Sequence, residues 1–168
     1  MIVTGERAAE VAQWMVERVK HLEVPQLYTT IALIDDGEIR AAVMYESFVH
    51  PFIEAHIAGE RLTSYFLAEA LRYPFEQLGC SRITVRVASD NLRSQRFVTK
   101  LGFTLEGRLR ETLPGPLDVL VFGMLRRECR WLGVKPHGNQ FDAAGRSDAA
   151  AAATGARRSA VRRAGMDG

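Results

Sequence analysis

The chain has 168 residues, 47% of them hydrophobic and 25% charged, with a formal net charge of +2. This is the composition of one ordinary globular domain with a substantial core, and the charge is too small to imply a nucleic-acid-binding domain. Cys80 and Cys129 form no metal-spaced pair, no apolar run reaches membrane-spanning length, and the N-terminus lacks a signal peptide's basic-then-apolar order, so the simplest expectation is a reduced cytoplasmic protein with no metal and no membrane partner.

Residues 6–20 carry the first helical pattern. Ala8, Val11, Ala12, Met15, Val16 and Val19 recur at helical spacing, with Glu6, Glu10, Glu17 and Lys20 largely on the other side. Thr4 and Gly5 are candidate starts. Residues 28–49 read as a β-hairpin: Tyr28–Ile34, an Asp35-Asp36-Gly37 turn that accepts positive φ, and a return over Glu38–Val49. His50-Pro51 interrupts it, because proline cannot donate to a ladder. Residues 52–57 form a third strand, on which Glu54 and His56 point to one face. That face is either solvent or a reaction cleft.

Residues 62–78 form a long amphipathic helix. Leu62, Phe66, Ala70, Tyr73 and Gln77 make one row, widened by Leu67, Leu71 and Phe75. Pro74 lies inside the pattern and predicts a bend near 70–74 or a break with a short second helix. Residues 82–88 alternate as a half-buried strand. Ser89, Asp90 and Asn91 can each cap the short helix that follows, Gly102 suits a left-handed C-cap, and Phe103 begins the next strand. Strands over 103–112 and 117–126 flank a Leu113-Pro-Gly-Pro116 loop. Asp118 opens the last strand within reach of Arg108 or Arg110, and Trp131-Leu132 is expected to pack back on the domain.

From residue 133 the composition turns to Ala, Gly, Arg and Asp with few large apolar residues, which predicts a disordered low-complexity tail. Six basic residues (135, 146, 157, 158, 162 and 163) against three Asp give the tail +3 and leave residues 1–132 at −1. The tail is therefore the one place where weak contact with nucleic acid or an acidic partner is expected.

The run Asn91-x-x-Ser94-x-x-Phe97-x-x-Lys100-x-Gly102-Phe103-x-x-Glu106-Gly107 resembles the C-terminal half of the GNAT N-acetyltransferases, most closely the RimJ/RimL-like branch. Tyr73-Pro-Phe-Glu-Gln-Leu-Gly79 and Met124–Trp131 are similar to GNAT-like proteins carried by bacteriophages. The resemblance covers residues 1–132. It implies a single α/β GNAT-like domain with a mixed, mostly antiparallel sheet of six to seven strands flanked by helices. It also implies acetyl-CoA as co-substrate and an amine-bearing acceptor, a protein or peptide N-terminus or a small amine, with monomer or homodimer both open.

Acetyl transfer from a thioester requires a neutral amine, so a base must take its proton. In the family this base often comes from the third strand, which makes Glu54 and His56 the candidates, with Glu46 behind them. A histidine titrates near neutral pH and a glutamate can act through water. The resemblance also implies that backbone N–H groups near Ile57 and Ala58 hold the thioester oxygen. The family's Gly-rich pyrophosphate loop falls on Ala58–Thr63. Arg61 stands where its central glycine belongs, so the loop is degenerate: Arg61, Thr63 and Ser64 could donate to phosphate, or Arg61 could close the cradle. Asn91 matches the asparagine that contacts the coenzyme arm, and it is equally a helix cap. Many GNAT enzymes carry a thiolate-protonating tyrosine where this chain has Val98. Ser94 matches a serine proposed for that task in RimL-like enzymes, or is a small residue allowing close helix–sheet approach. The rival expectation is a non-catalytic GNAT-fold binding or assembly protein, to be recognised by a gap between the fourth and fifth strands filled by Arg61 or Tyr65.

Overall fold

The computed structural model describes residues 1–133. Seven strands form one mixed sheet: β1 (Ile2–Thr4), β2 (Tyr28–Asp35), β3 (Glu38–Val49), β4 (Phe52–Gly59), β5 (Arg82–Ala88), β6 (Thr104–Leu113) and β7 (Leu117–Leu125). Their spatial order is β1-β2-β3-β4-β5-β7-β6, and every pairing is antiparallel except β4 with β5. Among the described residues three α-helices complete the fold: α1 (Ala8–Val16), α2 (Ser64–Arg72) and α3 (Leu92–Leu101). Among the described residues no helix is long and apolar enough to cross a membrane. The expected tail lies outside the described residues except for Gly133.

Alternate side chains of each strand go to opposite faces, and the core divides accordingly. On β3, Ala42 and Met44 pack with Val11, Ala12 and Met15 of α1. Ala41, Val43 and Tyr45 pack with Phe66, Leu67 and Ala70 of α2. On β5, Ile83, Val85 and Val87 join the α2 cluster, as do Val98 and Leu101 of α3. The sheet therefore has an α1 face and an α2/α3 face.

Three local expectations are corrected. The first helix covers only Ala8–Val16, not 6–20. Thr4 ends β1, an element with too few residues to show a period, and Gly5 (φ 78°) turns the chain with its N–H on the Thr30 carbonyl. After Glu17 the chain continues as turns, with Arg18 and Val19 N–H both on the Met15 carbonyl, and Val19 still reaches the α1 cluster. The apolar spacing thus outlasts the helix. The long helix begins at Ser64 rather than Leu62, while its expected break at Pro74 is met: α2 ends at Arg72 and a short, wider π-helical turn follows over Tyr73–Gln77, in which Leu78 N–H reaches the Tyr73 carbonyl at 3.2 Å. The strand expected from Phe103 starts one residue later, at Thr104.

Pro74 explains the break at Arg72. Its ring nitrogen cannot donate to the Ala70 carbonyl four residues back. The buried Tyr45 hydroxyl donates there instead, from the middle of β3. Burial holds the Tyr45 phenol well above its ordinary pKa, so it remains a donor. Tyr45→Phe keeps the packing but orphans a buried carbonyl. It is expected to destabilise the domain by about 1–3 kcal/mol, read as a lower urea midpoint at unchanged m-value. A midpoint equal to wild type would mean that water or another donor meets this carbonyl.

Candidate active site

The β4–β5 ladder is short: Phe52 pairs with Arg82, Ile53 with Ile83 and Glu54 with Thr84, and there it ends. Beyond that point each strand follows its outer neighbour. β4 stays on β3 as far as Gly59 opposite Ala41, and β5 stays on β7 as far as Ala88 opposite Val119. The two strands splay, and a cleft of about 770 Å³ opens between them. Backbone groups of a strand alternate between its two neighbours. Every second group of β4 past Glu54 therefore points into the cleft with no ladder partner on β5.

The cleft is lined from both faces of the sheet. Asn91, Ser94, Phe97 and Val98 of α3 and its cap contribute from the α2/α3 face. His56 and Arg86 alternate with residues of that face, so they project on the α1 face, where the turn Arg18–His21 after α1 closes the wall. A ligand entering over α3 and one entering beside α1 would meet between β4 and β5.

The expected site residues divide into two groups. His56, Ile57, Ala58, Asn91 and Ser94 all line the cleft. Nε2 of His56 lies 2.5 Å from Oε1 of Glu46, both side chains being mostly buried. Register explains the pair: Glu46 sits opposite Glu54 on β3, one step diagonal from His56 on the same face. Glu54 is not on the lining; its carboxylate takes the Arg86 guanidinium at 2.6 Å. Asn91 caps α3, its Oδ1 accepting the Ser94 N–H at 3.0 Å. Gly102 ends α3 in the left-handed conformation.

Arg61, Thr63 and Ser64 are not on the lining. The Arg61 side chain is 63% exposed and turned back to Asp35 on β2. Thr63 caps α2 through its hydroxyl, 3.2 Å from the Phe66 N–H, which leaves the Ser64 and Tyr65 N–H groups at the helix start without an intrahelical acceptor. Neither Arg61 nor Tyr65 fills the gap. Asp118 accepts the Glu111 N–H at 2.8 Å and pairs with Arg108; the first of these bonds and then the second hold its carboxyl below the usual carboxylate range, and it too stands off the cleft.

Sequence reasoning did not find the Arg18–His21 turn, Arg86 or Arg93 as cleft residues. Their placement depends on where α1 ends and where β5 parts from β4, and neither has a local signal. One trace appears in the backbone: His21 adopts φ 62°, a left-handed conformation uncommon outside glycine.

Comparison with known proteins agrees with this architecture. A family model described as acetyltransferase (GNAT) domain matches residues 48–104, the span from the end of β3 to the start of β6. No curated protein sequence matches the chain. Among solved structures, a mutant of spermidine N-acetyltransferase SpeG from Vibrio cholerae is 21% identical with a TM-score of 0.55, covering 64% of this chain and 69% of that one. Mutant forms of the spermidine/spermine N-acetyltransferase SpeG from the same organism superpose with a TM-score of 0.62 over 76% of this chain and 95% of theirs, at 16% identity. A third structure, of a protein named only as a putative acetyltransferase, is 27% identical with a TM-score of 0.54, and the chain spans 62% of its length. The fold is a single α/β GNAT-like domain, and these findings support the GNAT acetyltransferase family.

Proposed function

We propose, from a GNAT-like domain whose fourth and fifth strands enclose an open cleft, that residues 1–132 form an acetyl-CoA-dependent N-acetyltransferase. The observation that carries this reading is the splay itself. It opens unpartnered backbone groups on β4 beside a mostly buried histidine, and neither Arg61 nor Tyr65 occupies it. The non-catalytic alternative predicted a filled gap and loses its main support. Val98 remains in its favour, being apolar and buried where many GNAT enzymes carry a tyrosine.

When bound, acetyl-CoA would supply a thioester-activated acetyl group. The cleft fits such an arm: it has an apolar wall at Phe97 and Val98, the capped start of α3, and free donors on β4. Backbone N–H groups near Ile57 and Ala58 are suited to stabilise developing negative charge on a carbonyl oxygen. His56 takes the proton of the attacking amine. Its Nε2 faces the Glu46 carboxylate, so Nδ1 is the nitrogen left to act. Glu54 is the weaker candidate base because Arg86 holds its carboxylate off the cleft. The Ser94 hydroxyl assists the departing sulfur by donating a hydrogen bond. The acceptor amine belongs to a protein or peptide N-terminus or a small molecule. RimJ/RimL-like and phage-like affinities, carried by the motifs, and a cytoplasmic location, carried by the cysteine usage, are part of this reading.

Calorimetric titration with acetyl-CoA tests it, run beside Arg61→Gly. Micromolar binding is expected for the wild type. Because Arg61 turns to Asp35 rather than into the cleft, the variant is expected within about threefold of it. No binding by the wild type at millimolar coenzyme would pass the lead to the binding-protein reading. Binding gained only in the variant would mean that Arg61 swings in and closes the cradle.

A further inference from the structure

Beside His56 the α1-face wall of the cleft is cationic, and the two carboxylates behind it are engaged. Arg18, Lys20, His21 and Arg86 line it beside His56. The nearest acidic groups behind it are Glu46, which holds His56, and Glu54, which holds Arg86. Glu60 and Asp90, the acidic side chains on the lining, follow the C-terminal ends of β4 and β5, away from the β4–β5 ladder, and neither forms an ion pair among the described residues. Glu17 meets Arg18 at 3.5 Å, the outer edge of a bond, and does not line the cleft. Lys20 has no ion pair among the described residues.

The turn that carries these cations is anchored. Leu22 is buried behind it with its N–H on the Val19 carbonyl, and Val19 packs on the α1 cluster. The Arg18 guanidinium lies 4.2 Å from the Trp14 ring centroid and donates to the Trp14 carbonyl at 3.2 Å. Such stacking orders an arginine and leaves its remaining donors free. His21 holds a left-handed backbone at the rim, and a non-glycine residue kept there is a reason to look for a function.

From this wall we infer that the acceptor is an amine with a carboxylate close to the reacting nitrogen, as on an acidic peptide N-terminus or a free amino acid, and that polyamines are excluded. The inference rests on the acetyltransferase reading above and narrows it. A carboxylate on the acceptor meets Arg18 and Lys20 while its amine lies at His56. A second ammonium beside His56 would meet the like charge of Arg18 and Lys20, and like charges at contact distance repel most where water is excluded. The solved spermidine N-acetyltransferases share the fold and not the acceptor.

The test measures coenzyme A release from acetyl-CoA with five acceptors: Asp-Ala-Ala amide, Ala-Ala-Ala amide, Lys-Ala-Ala amide, aspartate and spermidine. One of the two acidic acceptors is expected to exceed the neutral peptide at least tenfold in kcat/KM, with spermidine slowest. The faster of the two assigns a peptide N-terminus or an amino acid. R18E and K20E are each expected to lower the acidic rate about tenfold while acetyl-CoA binds as before. Spermidine or the lysyl peptide turning over as fast as the acidic acceptors overturns the inference and leaves the acetyltransferase reading standing. No turnover of any amine, with acetyl-CoA bound, overturns both.

Discussion

Replacing His56 with asparagine is expected to lower turnover about 10²–10⁴-fold, the range general-base catalysis commonly supplies, while acetyl-CoA affinity stays near wild type. The argument is geometric. His56 lines the cleft, and its Nε2 is held 2.5 Å from the Glu46 carboxylate on the neighbouring strand. A carboxylate accepts, so it selects the tautomer with the proton on Nε2 and leaves the Nδ1 lone pair for the substrate. Glu46 then acts through His56 as a positioning residue. Glu46→Gln is expected to cost less than the histidine substitution, and the double variant little more than His56→Asn alone, because the two act as one unit. Part of the lost rate should return as the pH approaches the acceptor amine's own pKa, where solvent has already removed the proton. Steady-state rates across pH, with coenzyme affinity measured in parallel, check all three statements. A His56→Asn variant within twofold of wild type would remove His56 from the mechanism and return attention to Glu54.

Gly59→Ala is expected to be the most damaging glycine-to-alanine change among the described residues. Gly59 ends β4 opposite Ala41 with φ 151°, at the margin of the range that L side chains avoid. A Cβ there would stand 2.7 Å from both Cα and Cβ of Ala41 and 2.9 Å from the Arg40 carbonyl oxygen. These are mostly backbone atoms, so no rotamer change relieves the clash, and the β3–β4 ladder must shift. Overpacking and backbone strain together point to about 2–4 kcal/mol, which for a domain of this size lowers Tm by roughly 5–15 °C. The same strand end borders the cleft, so coenzyme affinity should fall as well. Thermal unfolding of the two proteins is the check, and a Tm within about 2 °C of wild type would mean that β4 relaxes freely at this point. By contrast, a methyl on Gly123 would meet only the movable ends of Glu106 and Arg82 and should be far milder.

The splay and Gly59 are two sides of one arrangement. β4 must stay on β3 past Glu54 for the cleft to open, and Gly59 lets the two backbones approach closely where that pairing ends. Local chemistry announced the glycine but not its purpose. Read along the chain, Gly59 falls inside the span Ala58–Thr63 expected to form the phosphate loop. In three dimensions it closes the β3–β4 ladder. Arg61 shows the same difference. Its position in the sequence made it either a phosphate ligand or a plug, and the structure turns it to Asp35, a residue of the first hairpin.

What the sequence determined by itself was whatever short-range physics dictates. The Asp35-Asp36-Gly37 turn set the β2–β3 hairpin, the alternation at residues 82–88 set β5, Asn91 capped α3, and Gly102 stopped it. Each depends on groups within a few residues, so pattern and propensity suffice. Tertiary structure alone decided the rest. Which group would meet the Ala70 carbonyl that Pro74 leaves open was decided in space, by a tyrosine hydroxyl from β3. Which of Glu46, Glu54 and His56 faces the cleft depended on the β3–β4 register and on Arg86 arriving from β5 to take Glu54. The cationic wall depended on where the turn after α1 settles against the sheet. These outcomes are set by side chains 10 to 32 positions apart meeting in space, and one chain's local pattern carries no record of which distant partner will be there.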